Sequence, residues 1–96
     1  MTRLRLAPAA ALSFPNDSRS YDATRCAIRF WGYDGALERS FLIAEQALRH
    51  VRPGVAPNEE GLLRAFDLNR SLIYAAASKV YARGRKGFHE LVASDF

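Results

Sequence analysis

Arg25-Cys26-Ala27-Ile28-Arg29-Phe30-Trp31, the pair Asp34-Gly35, and Glu38-Arg39-Ser40-Phe41-Leu42-Ile43 form the stretch that decides the fold. Its apolar residues alternate, the signature of a half-buried strand. Asp34-Gly35 is turn chemistry, because a type I′ turn needs positive φ at both central positions. A turn closed there pairs Trp31 with Glu38, Phe30 with Arg39, Arg29 with Ser40, Ile28 with Phe41, Ala27 with Leu42 and Cys26 with Ile43. Cys26, Ile28, Phe30, Phe41 and Ile43 then share the core face. Arg39 interrupts that face near the turn, where its stem can pack and its head reach water. The opposite face carries Arg25, Ala27, Arg29, Trp31, Glu38, Ser40 and Leu42.

Downstream, the pattern turns helical. Ala44 to His50 is rich in helix formers. Pro53-Gly54 and Pro57 mark a loop. Asn58 is placed to cap a helix whose first turn holds Glu59 and Glu60 and whose stripe is Leu62, Leu63 and Phe66. Asp67 or Asn69 is expected to cap a following helix, with Leu72, Ile73, Ala76, Ala77 and Val80 at helical spacing. Gly84 stops it as the residue after the C-terminus, behind Lys79 and Arg83. Phe88 to Ala93 reads as a last strand paired with the hairpin. Upstream, Phe14-Pro15-Asn16 reads as an edge strand or extended arm, since Pro15 cannot sit in a central strand. Asn16-Asp17-Ser18 is turn chemistry.

The expected fold is α+β: an antiparallel sheet of about three or four strands with two or three helices on one face. At 96 residues the chain is one domain, expected over residues 13–96. Residues 1–12 are expected to be a flexible N-terminal extension. Arg3, Arg5 and the run Leu6 to Leu12 faintly resemble a signal peptide, but Pro8 breaks the run and no convincing cleavage site follows. No stretch approaches the ~20 apolar residues of a membrane span. The hydrophobic share of 49% and charged share of 25% are those of a globular protein. Cys26 is the only cysteine, which excludes an intrachain disulfide and fits a reducing, cytoplasmic setting. The net charge of +4 permits an acidic partner without requiring one.

No constellation points to catalysis. Cys26 with His50 or His89 would make a thiolate pair, but a cysteine on the core face is ordinarily a small hydrophobe. One cysteine and two separated histidines give no metal-ligand spacing, so neither metal nor cofactor is expected. Glu59 and Glu60 are adjacent on a helix start and point apart, which suits the helix dipole better than acid/base work. Two surfaces remain. Arg25, Arg29, Trp31 and Glu38 combine residue types found at interaction hot spots, unless the N-terminal arm or a helix covers Trp31. Lys79, Arg83, Arg85 and Lys86 cluster at one helix end, where dipole compensation and solubility are the plainer explanation and nucleic-acid binding the sharper one.

Ser13-Phe14-Pro15-Asn16-Asp17-Ser18-Arg19-Ser20-Tyr21-Asp22, Ile28-Arg29-Phe30-Trp31-Gly32 with Asp34-Gly35, Lys79-Val80-Tyr81-Ala82-Arg83-Gly84, Glu90-Leu91 and Asp95-Phe96 resemble the domain of unknown function 1488 family of small bacterial proteins. The resemblance spans roughly Leu12 to Phe96. It implies a small α+β fold and no established activity, and it brings no catalytic residues. His89 stands where the family leads one to expect an aromatic residue, and Arg39 where an apolar one is expected. The function expected from the sequence is a non-catalytic protein-interaction module of the bacterial cytoplasm, self-associating or bound to another protein. The alternative is a nucleic-acid-binding accessory protein.

Overall fold

A computed structural model describes residues 12–96. The expected flexible extension therefore lies outside the described residues, except for Leu12, which is already in a strand. The elements in chain order are β1 (Leu12–Ser13), β2 (Arg19–Asp22), β3 (Ala27–Asp34), β4 (Leu37–Ala44), α1 (Glu45–Val51), α2 (Glu59–Leu68), α3 (Arg70–Arg83) and β5 (Phe88–Leu91), followed by a 3₁₀ turn at Ala93–Asp95.

The fold is α+β, as the sequence indicates. Among the described residues its sheet has five strands rather than three or four. β1 and β2 pair along one edge of β3, β3 pairs β4, and β4 pairs β5. The first pairings are antiparallel, but β5 runs parallel to β4. Three helices separate those two strands, and a connection of that length returns the chain to the same end of the sheet.

The hairpin register differs from the expected one by two residues. Asp34 pairs Leu37, so Gly35 and Ala36 form the turn. Gly35 has φ +62, while among the described residues no non-glycine residue except Cys26 is positive. Positive φ at the first central position alone is the pattern of a type II′ turn, not type I′. A shift of two preserves which side chains share a face. Ile28, Phe30, Phe41 and Ile43 are therefore all fully buried on the core side. Cys26 is not among them. The strand begins at Ala27, and Cys26 lies exposed in the preceding turn at φ +51.

The helices cover this side of the sheet. Ile28, Phe30, Phe41, Ile43 and Leu91 form one cluster with Ala47 and Leu48 of α1, Leu62, Ala65 and Phe66 of α2, and Ile73, Ala76, Ala77 and Tyr81 of α3. Asn58 caps α2, its Oδ1 accepting from the Gly61 N–H at 2.8 Å. Asn69 separates α2 from α3, but its side chain donates to the Ala65 carbonyl at 2.8 Å and caps nothing in α3. Gly84 ends α3 in extended backbone rather than the left-handed form, at φ −165. The expected last strand is shorter, ending at Leu91.

Phe14 is not in a strand. Its ring stacks on Tyr74 at 4.0 Å and crosses Gly32. A Cβ at Gly32 would lie 2.7 Å from the Phe14 Cε1, so glycine is needed for that close approach. β2 was not expected, because Arg19-Ser20-Tyr21-Asp22 has a single apolar residue. It is held from outside: Arg19 makes a two-pronged contact with Asp67 of α2 at 3.0 and 2.8 Å. Arg70 reaches the same carboxylate at 2.8 Å. The Arg19 hydrogen bonds, with a smaller contribution from Arg70, hold the Asp67 carboxyl below its ordinary 3.8.

Candidate functional site

Strand alternation places Ala27, Arg29, Trp31 and Tyr33 of β3 on the side away from the helices, opposite Ala44, Leu42, Ser40 and Glu38 of β4. The parallel register adds Phe88 and Glu90 of β5 beside Ser40 and Leu42. Ala27 and Leu42 are buried, 1% and 0% exposed, yet neither belongs to the helix-facing core. Over Leu42, part of the cover comes from a side chain of the sheet itself. Arg29 sits opposite Leu42, and its guanidinium lies 5.8 Å from the Phe88 ring centroid on the far side of β4. Asp22 of β2 holds the same guanidinium at 3.6 Å. Arg29 thus lies across Leu42, fixed by a carboxylate at one end and an aromatic face at the other.

The rest of the face is open. Phe88 is 40% exposed, and Trp31 is half-buried beside Ser40. The N-terminal arm borders Trp31 without capping it: Asn16, Ser18 and Arg19 line a shallow hollow with Trp31, Tyr33 and Glu38. Glu38 faces Tyr33 rather than Trp31 and accepts its hydroxyl at 3.3 Å. Arg25 lies outside the strand. It is exposed in the turn before β3, its N–H donating to Asp22 Oδ1 at 3.1 Å. Of the four residues expected to form this surface, Arg29, Trp31 and Glu38 share the sheet face and Arg25 marks its end. Sequence reasoning missed Tyr33, Phe88 and Glu90, because the turn was placed one residue early and β5 had no register.

Lys79 and Arg83, four apart on α3, and Arg85 and Lys86 in the loop after it are all exposed. The loop is tied to the sheet where the Ser40 N–H donates to the Gly87 carbonyl at 2.9 Å. None of the four cations has a carboxylate partner among the described residues.

A third polar grouping lies on the core side, between the turn end of the sheet and α3. Tyr81 is fully buried, donates its hydroxyl to Asp34 Oδ2 at 2.6 Å and accepts from Arg39 Nε at 3.1 Å. This explains Arg39 at a core-facing position: its charge meets a hydroxyl polarised by a carboxylate. His89 packs beside them, stacked on Phe41 at 5.7 Å and edge-on to Tyr81 at 5.9 Å. Its Nε2 is buried and has no hydrogen-bond partner. Burial lowers its pKa from the ordinary 6.5; the Gly84 and Lys86 carbonyls oppose this in part, while the charges of Lys86 and Arg39 add to it.

Cys26, His50 and His89 are not brought together: Cys26 is in the β2–β3 turn, His50 on α1 and His89 on β5. Among the described residues no three His, Cys, Asp or Glu side chains are grouped so as to hold a metal ion. No helix among them is long and apolar enough to cross a membrane.

The model of a family described as protein of unknown function, DUF1488, matches residues 12–91. The chain belongs to this family. A crystal structure of a DUF1488 protein of unknown function from Shewanella loihica PV-4 is similar to it, with a TM-score of 0.76 and 20% identity. The likeness covers 85% of this chain and 92% of that one. At that identity it shows the shared fold alone. No curated protein matches the chain.

Proposed function

We propose that this DUF1488 protein is a non-catalytic protein-interaction module that works through the outer face of its sheet. The observation that carries the reading is the pair Trp31 and Phe88. On the helix-free side they flank Arg29, which lies across the buried Leu42, and with Phe88 40% exposed and Trp31 half-buried they leave aromatic surface open within a polar rim. Protein interfaces have that anatomy, and Trp and Arg are the residues that most often dominate them. Arg25 and Arg29 on the β3 side are already paired with Asp22, so the charges the face leaves without an ion-pair partner among the described residues are the carboxylates of Glu38 and Glu90 on β4 and β5. Trp31→Ala tests the reading. The variant keeps the fold, by circular dichroism, and loses self-association or partner capture. Unchanged mass by light scattering together with an unchanged pull-down profile sinks it.

A second reading has one observation in its favour. Among the described residues Lys79, Arg83, Arg85 and Lys86 have no carboxylate partner, as Arg39, Arg52 and Arg64 have none, but these four are grouped at one end of α3. Four unneutralised cations at one end of α3 suit a polyanion such as nucleic acid. Full engagement of four phosphates would give a log affinity against log salt slope of roughly −3 to −4. Absence of a mobility shift at low salt removes this alternative.

A further inference from the structure

We propose that His89 is an acid-sensitive latch on β5, whose protonation loosens this strand from β4 and disorganises the β5 border of the outer face. The latch itself rests only on the geometry of His89; its consequence for binding rests on the proposed role of that face.

The imidazole occupies a site built for a neutral ring. It lies between the Phe41 and Tyr81 rings with Nε2 buried and unpartnered. The charged and titratable groups around it come from three elements. β4 contributes Arg39, the loop after α3 contributes Lys86, and α3 contributes the phenol of Tyr81. The carboxylate of this network, Asp34 of β3, is taken up by the Tyr81 hydroxyl. Glu90, the acidic residue of β5 itself, points to the opposite face of the sheet. A proton on His89 would thus place a third cation beside Arg39 and Lys86, in an aromatic pocket, where only the Gly84 and Lys86 carbonyls offset it in part and Nε2 has no partner. The cheapest escape is for the side chain to leave.

β5 is the element that has to move. Among the described residues it is an edge strand of four residues paired on one side only, and edges of this kind open at lower cost than the core. Phe88, on its other face, is the aromatic end-stop for Arg29. When β5 loosens, Arg29 loses that stop and the roof over Leu42 opens. A histidine on the helix side is in this way coupled to the interaction face through the two sides of one short strand.

The sign follows from the burial. A base whose folded-state pKa is lowered costs nothing above the unfolded value and weakens the folded form as pH falls below it. Loosening therefore begins near the ordinary value of 6.5 and is complete below the lowered folded value. One proton changes the β5 opening constant by at most tenfold per pH unit across that window.

The test is amide hydrogen exchange across β5, corrected for intrinsic rates, together with an NMR titration of the His89 ring in the whole chain. His89 is expected to titrate below 6.5. β5 protection is expected to fall on acidification, while Phe30 and Phe41 amides keep theirs. His89→Phe, which fills the site with an uncharged ring, keeps β5 protected throughout. A His89 titration at or above 6.5 overturns the proposal, and that measurement needs no variant. So does β5 protection that falls equally in wild type and His89→Phe. Both readouts are made on the protein alone, so failure of the latch is distinguishable from failure of the interaction reading, which is tested at neutral pH by Trp31→Ala.

Discussion

Tyr81→Phe deletes one oxygen and leaves the aromatic packing of the α3 end in place. The ring is fully buried, and its edge contact with His89 and its place under Arg39 do not need the hydroxyl. What disappears is a donor to Asp34 at 2.6 Å and an acceptor for Arg39 at 3.1 Å. The shorter distance is that of a charge-assisted O–H···O⁻ bond. Bonds to charged partners contribute ~1.5–3 kcal/mol each when fully buried. Asp34 and Arg39 are both half-exposed and recover water after the change, so the net loss is about 1–2 kcal/mol for the pair. For a domain of this size each kcal/mol moves Tm by about 4–8 °C. Tyr81→Phe should accordingly lower Tm by roughly 4–16 °C and the urea midpoint in proportion, with the urea m-value unchanged. A double-mutant cycle with Arg39→Gln should return a coupling of at least about 0.5 kcal/mol. A Tm within ~2 °C of wild type, or zero coupling, refutes the view that this triad pins the turn end of the hairpin to α3.

Gly32→Ala should cost about 1–3 kcal/mol by urea titration, because the new methyl meets the Phe14 ring at 2.7 Å. Combining it with Phe14→Leu should cost less than the sum of the two changes, and full additivity would argue against the contact. Cys26→Gly should raise stability by about 0.5–1 kcal/mol in the same assay, by removing a side chain from φ +51; a loss would mean that the thiol packs better than its exposure indicates. Asp67→Asn should cost no more than ~1 kcal/mol, since the carboxylate is 40% exposed and screened. The wild-type advantage over Asp67→Asn is present above pH 3.8 and vanishes as pH falls through the lowered folded-state value. Parallel melts from neutral to strongly acid pH check this, and an advantage that persists in strong acid contradicts the ion-pair account.

The legible part of the fold was the part written in period two. Ile28, Phe30, Phe41 and Ile43 declare a buried face, and parity kept that face correct when the register moved by two residues. Cys26 was misassigned because alternation runs past the strand end; nothing local says that the chain turns at Ala23–Cys26. β2 was illegible for another reason. Its Arg19 and Asp22 look like loop residues until Asp67, 48 positions from Arg19, and Arg29 on the adjacent strand provide their partners. Arg39 posed the same difficulty, because its partner Tyr81 is 42 positions away. The parallel direction of β5 was available in principle, since three helices between neighbouring strands carry the chain back across the sheet. For the candidate site, Arg29, Trp31 and Glu38 could be placed on one face from the hairpin alone. Phe88 could not, because it joins that face only through β5 and its guanidinium neighbour.

The central claim is that the helix-free face of the sheet is where this protein meets a partner. Its most direct measurement is association of wild type against Trp31→Ala at neutral pH, by light scattering across concentration and by pull-down with equal bait. The account predicts a variant with wild-type circular dichroism whose mass stays monomeric, or whose captured partner is lost, where wild type associates. A Trp31→Ala protein that matches wild type in both mass and capture would contradict it.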